Sequence, residues 1–580
     1  MKLSERLFSR TGLIAAWALL VLVQLPIREV MPPDEPRFAH QAQSMRTSGE
    51  WIVPYIGDEK VVDKPPVLFW GVVLASLPFD RVTEATSRVP SAIAALIVLL
   101  LTARLGRRLF GSDAVGYGGA LIALTGIEFF QKAQWCSCDM TMAAFAFTAI
   151  TLWGESCFGD PPPGHGGLRI ALGWAAVGFG ILTKGPVAFL WAMFWVVAEA
   201  VARKRFRPLT RLAWNPGVVI AVAIVGGWLY ALGVRAGWDF VYEATIHQNL
   251  NRYANAWNSV QPFWFYAYQA PSDLLPWATF LPAAIAMAIR RPTGPDALRV
   301  TIASRAVALF ALIGLVFFST SSGKRGVYVM EAFPAISLLI AAAVVRAGLG
   351  TVGFLLMVAV GVALGVGAPM AIASGLLAIP PAIAAAAGAL GAVALVAGGL
   401  AIAAGASFGL AFLRRGRNES ALAGVVAGTL VALLLAGTVG GRTWSRVQRA
   451  RSFCETMDAA APEHERIAVE VAKYEQMMFY TLRTTAYFRS DAALLDLLVR
   501  GECRYAIVER QRYERMRRAS PVEGLAVLAE APISNRSYVL LGPQGAPEAA
   551  PPVSSAQIRG SNPQSVQPRD LVEPIARDGG

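Results

Sequence analysis

The chain has 580 residues, 55% of them hydrophobic and only 16% charged, with a formal net charge of +13. An ordinary soluble protein carries about a quarter charged residues, so that class is excluded. The basic excess sits largely in short loops between apolar runs, which marks topology rather than nucleic-acid binding. No nucleic-acid partner is expected.

The apolar runs are about 17–25 residues long, the length of helix that crosses a bilayer's hydrocarbon core. They lack the strict alternation of barrel strands, so the spans are helical. In chain order they are expected over 11–27, 89–106, 114–131, 140–158, 169–183, 187–202, 214–234, 264–289, 303–320, 327–345, 351–374, 379–412 and 420–440. Met1–Arg10 is basic and Leu13–Pro26 apolar. This start reads as a retained first helix rather than a signal peptide, because no small-residue cleavage site stands out before Met31. Val67–Phe79 is apolar but too short to span, and reads as interfacial.

Five basic clusters test this layout: Lys2/Arg6/Arg10, Arg104/Arg107/Arg108, Arg203/Lys204/Arg205/Arg207/Arg211, Arg290/Arg291 and Arg414/Arg415/Arg417. All fall on one side of the threaded spans, and the positive-inside rule makes that side the cytoplasm. The outer face then holds a long first loop (28–88), the segments 131–139, 183–186, 235–263 and 321–325, and the chain after about residue 443. This C-terminal part reads as a small α/β unit, with strands expected at Arg466–Val471, Tyr505–Val508, Leu525–Leu528 and Tyr538–Leu541. The expected division is 1–443 as a membrane module, 444–545 as the α/β domain, and 546–580 as a disordered tail rich in Pro, Ser, Gln and Gly. Cys157 lies in a span and Cys136 and Cys138 beside an outer loop, while an oxidising periplasm would permit a Cys454–Cys503 disulfide.

The chemistry gathers on the outer face. The first loop opens with Asp34-Glu35-Pro36-Arg37 and continues to Asp63-Lys64-Pro65-Pro66. Asp139 stands at a helix mouth, Lys184 between two apolar runs, His247 and Arg252 in one loop, and Lys324-Arg325 in another. A lone loop charge is ordinarily solvated, and a lone lysine snorkels. Ionisable groups collected at one membrane mouth instead suggest function. Asp63 and His247 are the pair from which a zinc site would be built, but zinc needs further ligands, and no close His/Cys spacing supplies them. No cofactor is otherwise implied.

From Asp34 onward the sequence resembles the lipid A aminoarabinose transferases and the bacterial relatives of the protein O-mannosyltransferases. The pieces that carry the resemblance are Asp34-Glu35-Pro36-Arg37-Phe38, Ser48-Gly49-Glu50-Trp51, Asp63-Lys64-Pro65-Pro66, Arg88-Val89-Pro90-Ser91, Thr183-Lys184-Gly185-Pro186, Leu275-Pro276-Trp277 and Ser322-Gly323-Lys324-Arg325. It covers residues 10–345. The aminoarabinose branch typically has Glu where Asp63 stands, one methylene longer.

The resemblance implies a GT-C fold: an all-α polytopic membrane bundle of about 13 transmembrane helices with a small C-terminal periplasmic α/β domain. It implies an inverting glycosyltransferase that takes a sugar from undecaprenyl phosphate, at the periplasmic face of a bacterial inner membrane. Asp34, Glu35 and Asp139 are the expected catalytic acids. Arg37, Lys64, Lys184, Arg252, Lys324 and Arg325 are the expected contacts to the donor phosphate and substrate. The acceptor is open among lipid A, another envelope glycan and protein, and the sugar is open too, 4-amino-4-deoxy-L-arabinose being one candidate. A lipid or solute transporter is the non-enzyme alternative, but no related halves of the kind transporters show are found.

Overall fold

The computed structural model describes residues 3–57, 59–159, 165–251, 253, 259–290, 296–462, 465–470, 475–481, 485–488, 490–519, 524–533 and 536–544. The expected tail, 546–580, lies outside the described residues, as does Arg252.

Apolar sequence and capping together set the helices. Glu84–Phe110 begins with Thr83, whose hydroxyl accepts from the Thr86 amide in a capping box, and ends at Gly111 with φ of 62°. Cys138–Phe158 is capped by Ser137 and Asp113–Leu124 by Ser112. Among the described residues seven helices are long and apolar enough to cross a membrane, or eight if one bent pair counts as a single span. The chain is therefore a multi-pass membrane protein. The bent pair, Phe265–Asp273 and Trp277–Ile289, turns by 111° at its break. Val67–Ser76 forms a helix of 10 residues, below spanning length. The bundle's core is rich in fully buried aromatics, including Trp153, Trp191, Trp195 and Trp277.

The segment 28–88 folds rather than trailing in solvent. It contributes the helix Asp34–Ser48, a two-residue hairpin of β1 (Tyr55–Ile56) and β2 (Glu59–Lys60), and the helix Val67–Ser76.

The C-terminal part carries a five-stranded sheet of β3 (Ile467–Glu470), β4 (Thr485–Phe488), β5 (Tyr505–Glu509), β6 (Leu525–Ile533) and β7 (Arg536–Pro543), in the order β4-β3-β5-β7-β6. β3 pairs parallel with β4 and β5, while β7 pairs antiparallel with β5 and β6. Strand β4 was not among the sequence expectations. One sheet face shares a core with the first loop: Phe38, Met45, Phe69, Phe453, Met457, Ile507 and Leu540 belong to a single buried cluster. The Cys454–Cys503 disulfide that the sequence left open is not formed. Cys454 and Cys503 are both buried free thiols, and they lie in separate apolar clusters. The Cys454 thiol instead points at the Met477 carbonyl, 3.6 Å away.

Candidate functional site

Helix Asp34–Ser48 presents its first turn to the mouth of the bundle. Asp34 and Glu35 both lie in that turn, where carboxylates complement the helix dipole, and Pro36 is tolerated because first-turn amides lack intrahelical acceptors. Adjacent residues on a helix point about 100° apart, so the two acids have different fates.

Asp34 faces the mouth. Its side chain is 28% exposed and is gripped by Arg37 at 3.1 Å, one turn along, and by Arg325 at 2.9 Å from the distant 321–325 segment. Burial alone would raise its pKa, but Arg325 and Arg37 outweigh burial and hold the carboxyl below its usual range. Arg37 also reaches Asp63 Oδ2 at 2.6 Å, so one guanidinium bridges the two acidic motifs. Lys64 donates to the carbonyl of Asp63 at 2.8 Å, and its ammonium lies 3.9 Å from the Asp63 carboxylate. Asp63 Oδ1 is buried and has no hydrogen-bond partner.

Glu35 faces inward and is fully buried. It accepts from Arg28 and Arg88, both at 2.6 Å, and from the amides of Met31 at 2.7 Å and Cys136 at 3.2 Å. Burial would raise its pKa, but the two arginines hold the carboxyl at about 2. The expectation that Glu35 assists catalysis meets a side chain with no open face. It ties the first loop to helix Glu84–Phe110 and to the 134–137 turn.

Asp139 and Lys184 are joined as an ion pair. Ser137 also donates to Asp139 at 2.7 Å, and the Lys184 ammonium sits 4.8 Å from the Tyr328 ring centre. Lys184 ends its helix at Gly185, whose φ is 78°. A Cβ there would meet Asn249 Oδ1 at 2.2 Å, so only glycine fits this turn. Asp139 is within electrostatic reach of both Asp34 and Arg325. One constellation thus holds Asp34, Asp63 and Asp139 with Arg37, Lys64, Lys184 and Arg325. Beside it, an apolar cavity of about 230 Å³ opens against Pro65, Leu182, Gly185, Pro186 and Trp228, next in the chain to both Lys64 and Lys184.

Two expected residues stand elsewhere. The Lys324 ammonium donates to the carbonyls of Gln261 and Ser321, pinning two loop segments together. His247 is paired with Glu243 at 2.9 Å. No group of three His, Cys, Asp or Glu side chains that could hold a metal is found among the described residues. Asp63 is already engaged by the cations of Arg37 and Lys64.

The sequence reading passed over Arg28 and Arg88 as site-building residues. Arg88 is 0% exposed just before the largely apolar stretch of its helix over 89–101. A charge there demands a partner, and that demand was the available signal. Tyr328 and Glu331 were also missed. Glu331 is 1% exposed, and neither carboxylate oxygen has a hydrogen-bond partner.

The class follows from this architecture: the chain has a GT-C fold of the ArnT kind. It superposes on ArnT from Cupriavidus metallidurans bound to undecaprenyl phosphate with a TM-score of 0.77 at 21% identity, covering 94% of this chain and 100% of that one. The apo form of the same protein gives a TM-score of 0.73, covering 91% and 97%. In sequence, residues 63–230 match the family model described as dolichyl-phosphate-mannose-protein mannosyltransferase. The chain is 26% identical over 340 residues to undecaprenyl phosphate-alpha-4-amino-4-deoxy-L-arabinose arabinosyl transferase 1 of Pseudomonas fluorescens, covering 58% of this chain and 57% of that one. It is 28% identical over 347 residues to the transferase of the same name from Pseudomonas aeruginosa PAO1, covering 58% and 59%. The matches thus span less than two thirds of those relatives' lengths.

Proposed function

We propose that this protein is an inverting glycosyltransferase that moves a sugar from a polyprenyl-phosphate carrier to an acceptor at the periplasmic face of a bacterial inner membrane. The observation that carries the reading is the meeting of an acid-and-base constellation with an apolar cavity beside Lys64 and Lys184. The cavity, at about 230 Å³, suits the phosphate-proximal end of a polyprenyl tail, and the cations beside it suit the phosphate. The names of the matched relatives favour 4-amino-4-deoxy-L-arabinose on undecaprenyl phosphate as the donor, and the sequence resemblance adds lipid A phosphate as the acceptor. The fold likeness to ArnT supports the same layout.

The chemistry follows from charge. As the acceptor attacks the anomeric carbon, negative charge grows on the departing lipid phosphate, and preorganised cations lower that barrier. Lys64, Arg37, Lys184 and Arg325 are the cations on hand, and Arg252 joins them as a proposal from sequence alone. Arginines grip phosphate through a planar fork, while lysines act as point charges. Asp34, kept ionised by two arginines, is a weak base. It therefore orients the acceptor or the sugar rather than taking a strongly held proton. An acceptor phosphate is already largely ionised at neutral pH and needs no strong base. Asp139 serves by holding Lys184 in place.

Each of the expected spans falls on a helix or a broken helix pair, which supports a layout of about thirteen crossings. With it go the outer position of the site and the division into a membrane module over 1–443 and a periplasmic α/β domain over 444–545. The domain's sheet rests on the first loop.

The family-model match over 63–230 favours a second reading, transfer of a hexose to protein. Mass spectrometry of lipid A and envelope glycoproteins, from cells with and without the gene, separates the two. A pentosamine on lipid A phosphate that depends on this protein supports the first reading. A protein-linked hexose that depends on it, with lipid A unchanged, overturns the first and selects the second.

A further inference from the structure

The segment leading to Asp34 belongs to no helix or strand. A buried backbone without ladder partners must bond its amides and carbonyls elsewhere or lose stability. In residues 28–31 side chains make those bonds. Arg88 donates to the carbonyls of Arg28 at 3.0 Å and Glu29 at 3.2 Å. The amide of Glu29 donates to Ser445 Oγ at 2.9 Å, and the Glu29 carboxylate accepts from the Ala450 amide at 3.2 Å. The fully buried Val30 is held on both sides from the C-terminal part. Its amide donates to the Tyr480 hydroxyl at 3.1 Å, and its carbonyl accepts from the Gln476 side-chain Nε2 at 2.7 Å. Gln476 and Tyr480 lie four residues apart on helix Glu475–Tyr480, hence on one face. Together they copy the two-bond grip of a strand neighbour on one residue.

We infer that Gln476 and Tyr480 are positioning residues that fix the main chain carrying Asp34, so that the C-terminal α/β unit acts on the reaction without touching substrate. Val30 stands four residues before Asp34, and Met31, the next residue, is tied by its amide to Glu35 at 2.7 Å. The clamp therefore feeds directly into the first turn that presents the carboxylate. The same short helix meets the far side of the loop helix, where His40 Nδ1 lies 3.1 Å from the Met478 carbonyl. A displacement of about 1 Å at a reacting group can cost on the order of 10²-fold in rate, which is the scale this clamp controls.

The inference rests on the transferase reading, and its test separates the two. The full chain in lipid nanodiscs is compared with the double variant Gln476→Leu/Tyr480→Phe, which keeps the volume and the ring and removes the two bonds to Val30 together with the Tyr480 hydroxyl's bond to Glu84. Transfer is measured from an undecaprenyl-phosphate aminoarabinose donor to lipid A, and amide hydrogen exchange over residues 28–37 is followed in the same samples. The expected result is a fall in kcat of about ten- to a hundredfold with donor KM within about twofold. Exchange at Glu29–Met31 should be faster, and exchange in the spans unchanged. Unchanged exchange at Glu29–Met31 overturns the inference whatever the activity. So does an unchanged kcat, or a loss of kcat matched by loss of folded protein. A wild-type chain inert with every polyprenyl-linked sugar overturns the transferase reading, and faster exchange would then still support the clamp.

Discussion

Glu35→Gln separates the two neighbouring acids most sharply. Glu35 is fully buried between Arg28 and Arg88, each 2.6 Å away, and its carboxyl is held at about 2 against an ordinary value of 4.5. At about 1.4 kcal/mol per pKa unit that drop is worth about 3 kcal/mol. Removing one partner of a buried ion pair costs about 3–5 kcal/mol by comparison with other proteins, so the two routes agree. Because the folded pKa is depressed, this stabilisation is present above pH 4.5 and is lost as pH falls toward 2. Unfolding of purified protein in mixed micelles at pH 7 should show Glu35→Gln about 3 kcal/mol less stable than wild type. At pH 2–3 the difference should shrink. Transfer per folded molecule should fall less than it does for Asp34→Asn. A Glu35→Gln protein as stable as wild type but catalytically dead would refute the structural role and return Glu35 to the chemistry.

Lys64→Ala should lower donor-dependent turnover on the order of 10²-fold while leaving membrane insertion intact. Steady-state kinetics with a polyprenyl-phosphate sugar read this directly, and normal turnover would remove Lys64 from the phosphate site. His40 is buried, which pushes its imidazole down to about 4, and its Nε2 accepts from the Gly57 amide at 3.3 Å. The unfolded chain takes up this proton near pH 6.5 and the folded one only near pH 4, so acid drains stability across that window by up to about 3 kcal/mol. His40→Gln should flatten the pH dependence of unfolding there, and an unaltered dependence would contradict the assignment.

How far the site was legible from sequence differs by residue. Apolar length placed the helices, since lipid admits few other structures. Threading put all the charged motifs on one expected face, Lys324 and His247 among them, and did not tell that Asp34, Arg37, Asp63, Lys64, Asp139, Lys184 and Arg325 meet while those two bond elsewhere. What failed was orientation. Nothing in Asp34-Glu35 tells which acid turns inward until the distant Arg88 is known to lie against it. Lys324 and Arg325 are adjacent, yet one caps carbonyls and the other grips Asp34. Cys454 and Cys503 could be paired from sequence only by an expected compartment, and they lie in separate apolar clusters. Strand β4 is an edge strand of Thr, Ala, Tyr and Phe, without the aliphatic run that marks the more central β3 and β5. The Val30 clamp bridges a sequence separation of about 450 residues, and local pattern cannot report such pairs.

The most direct test of the account is transfer by Asp34→Asn in a reconstituted system, scored beside its unfolding curve. Asp34 is partly open and Arg37 keeps its pair with Asp63, so the variant should fold and insert as wild type does while transfer from the polyprenyl-phosphate donor is abolished. An Asp34→Asn protein that still moves the sugar at the wild-type rate would contradict the account at its centre.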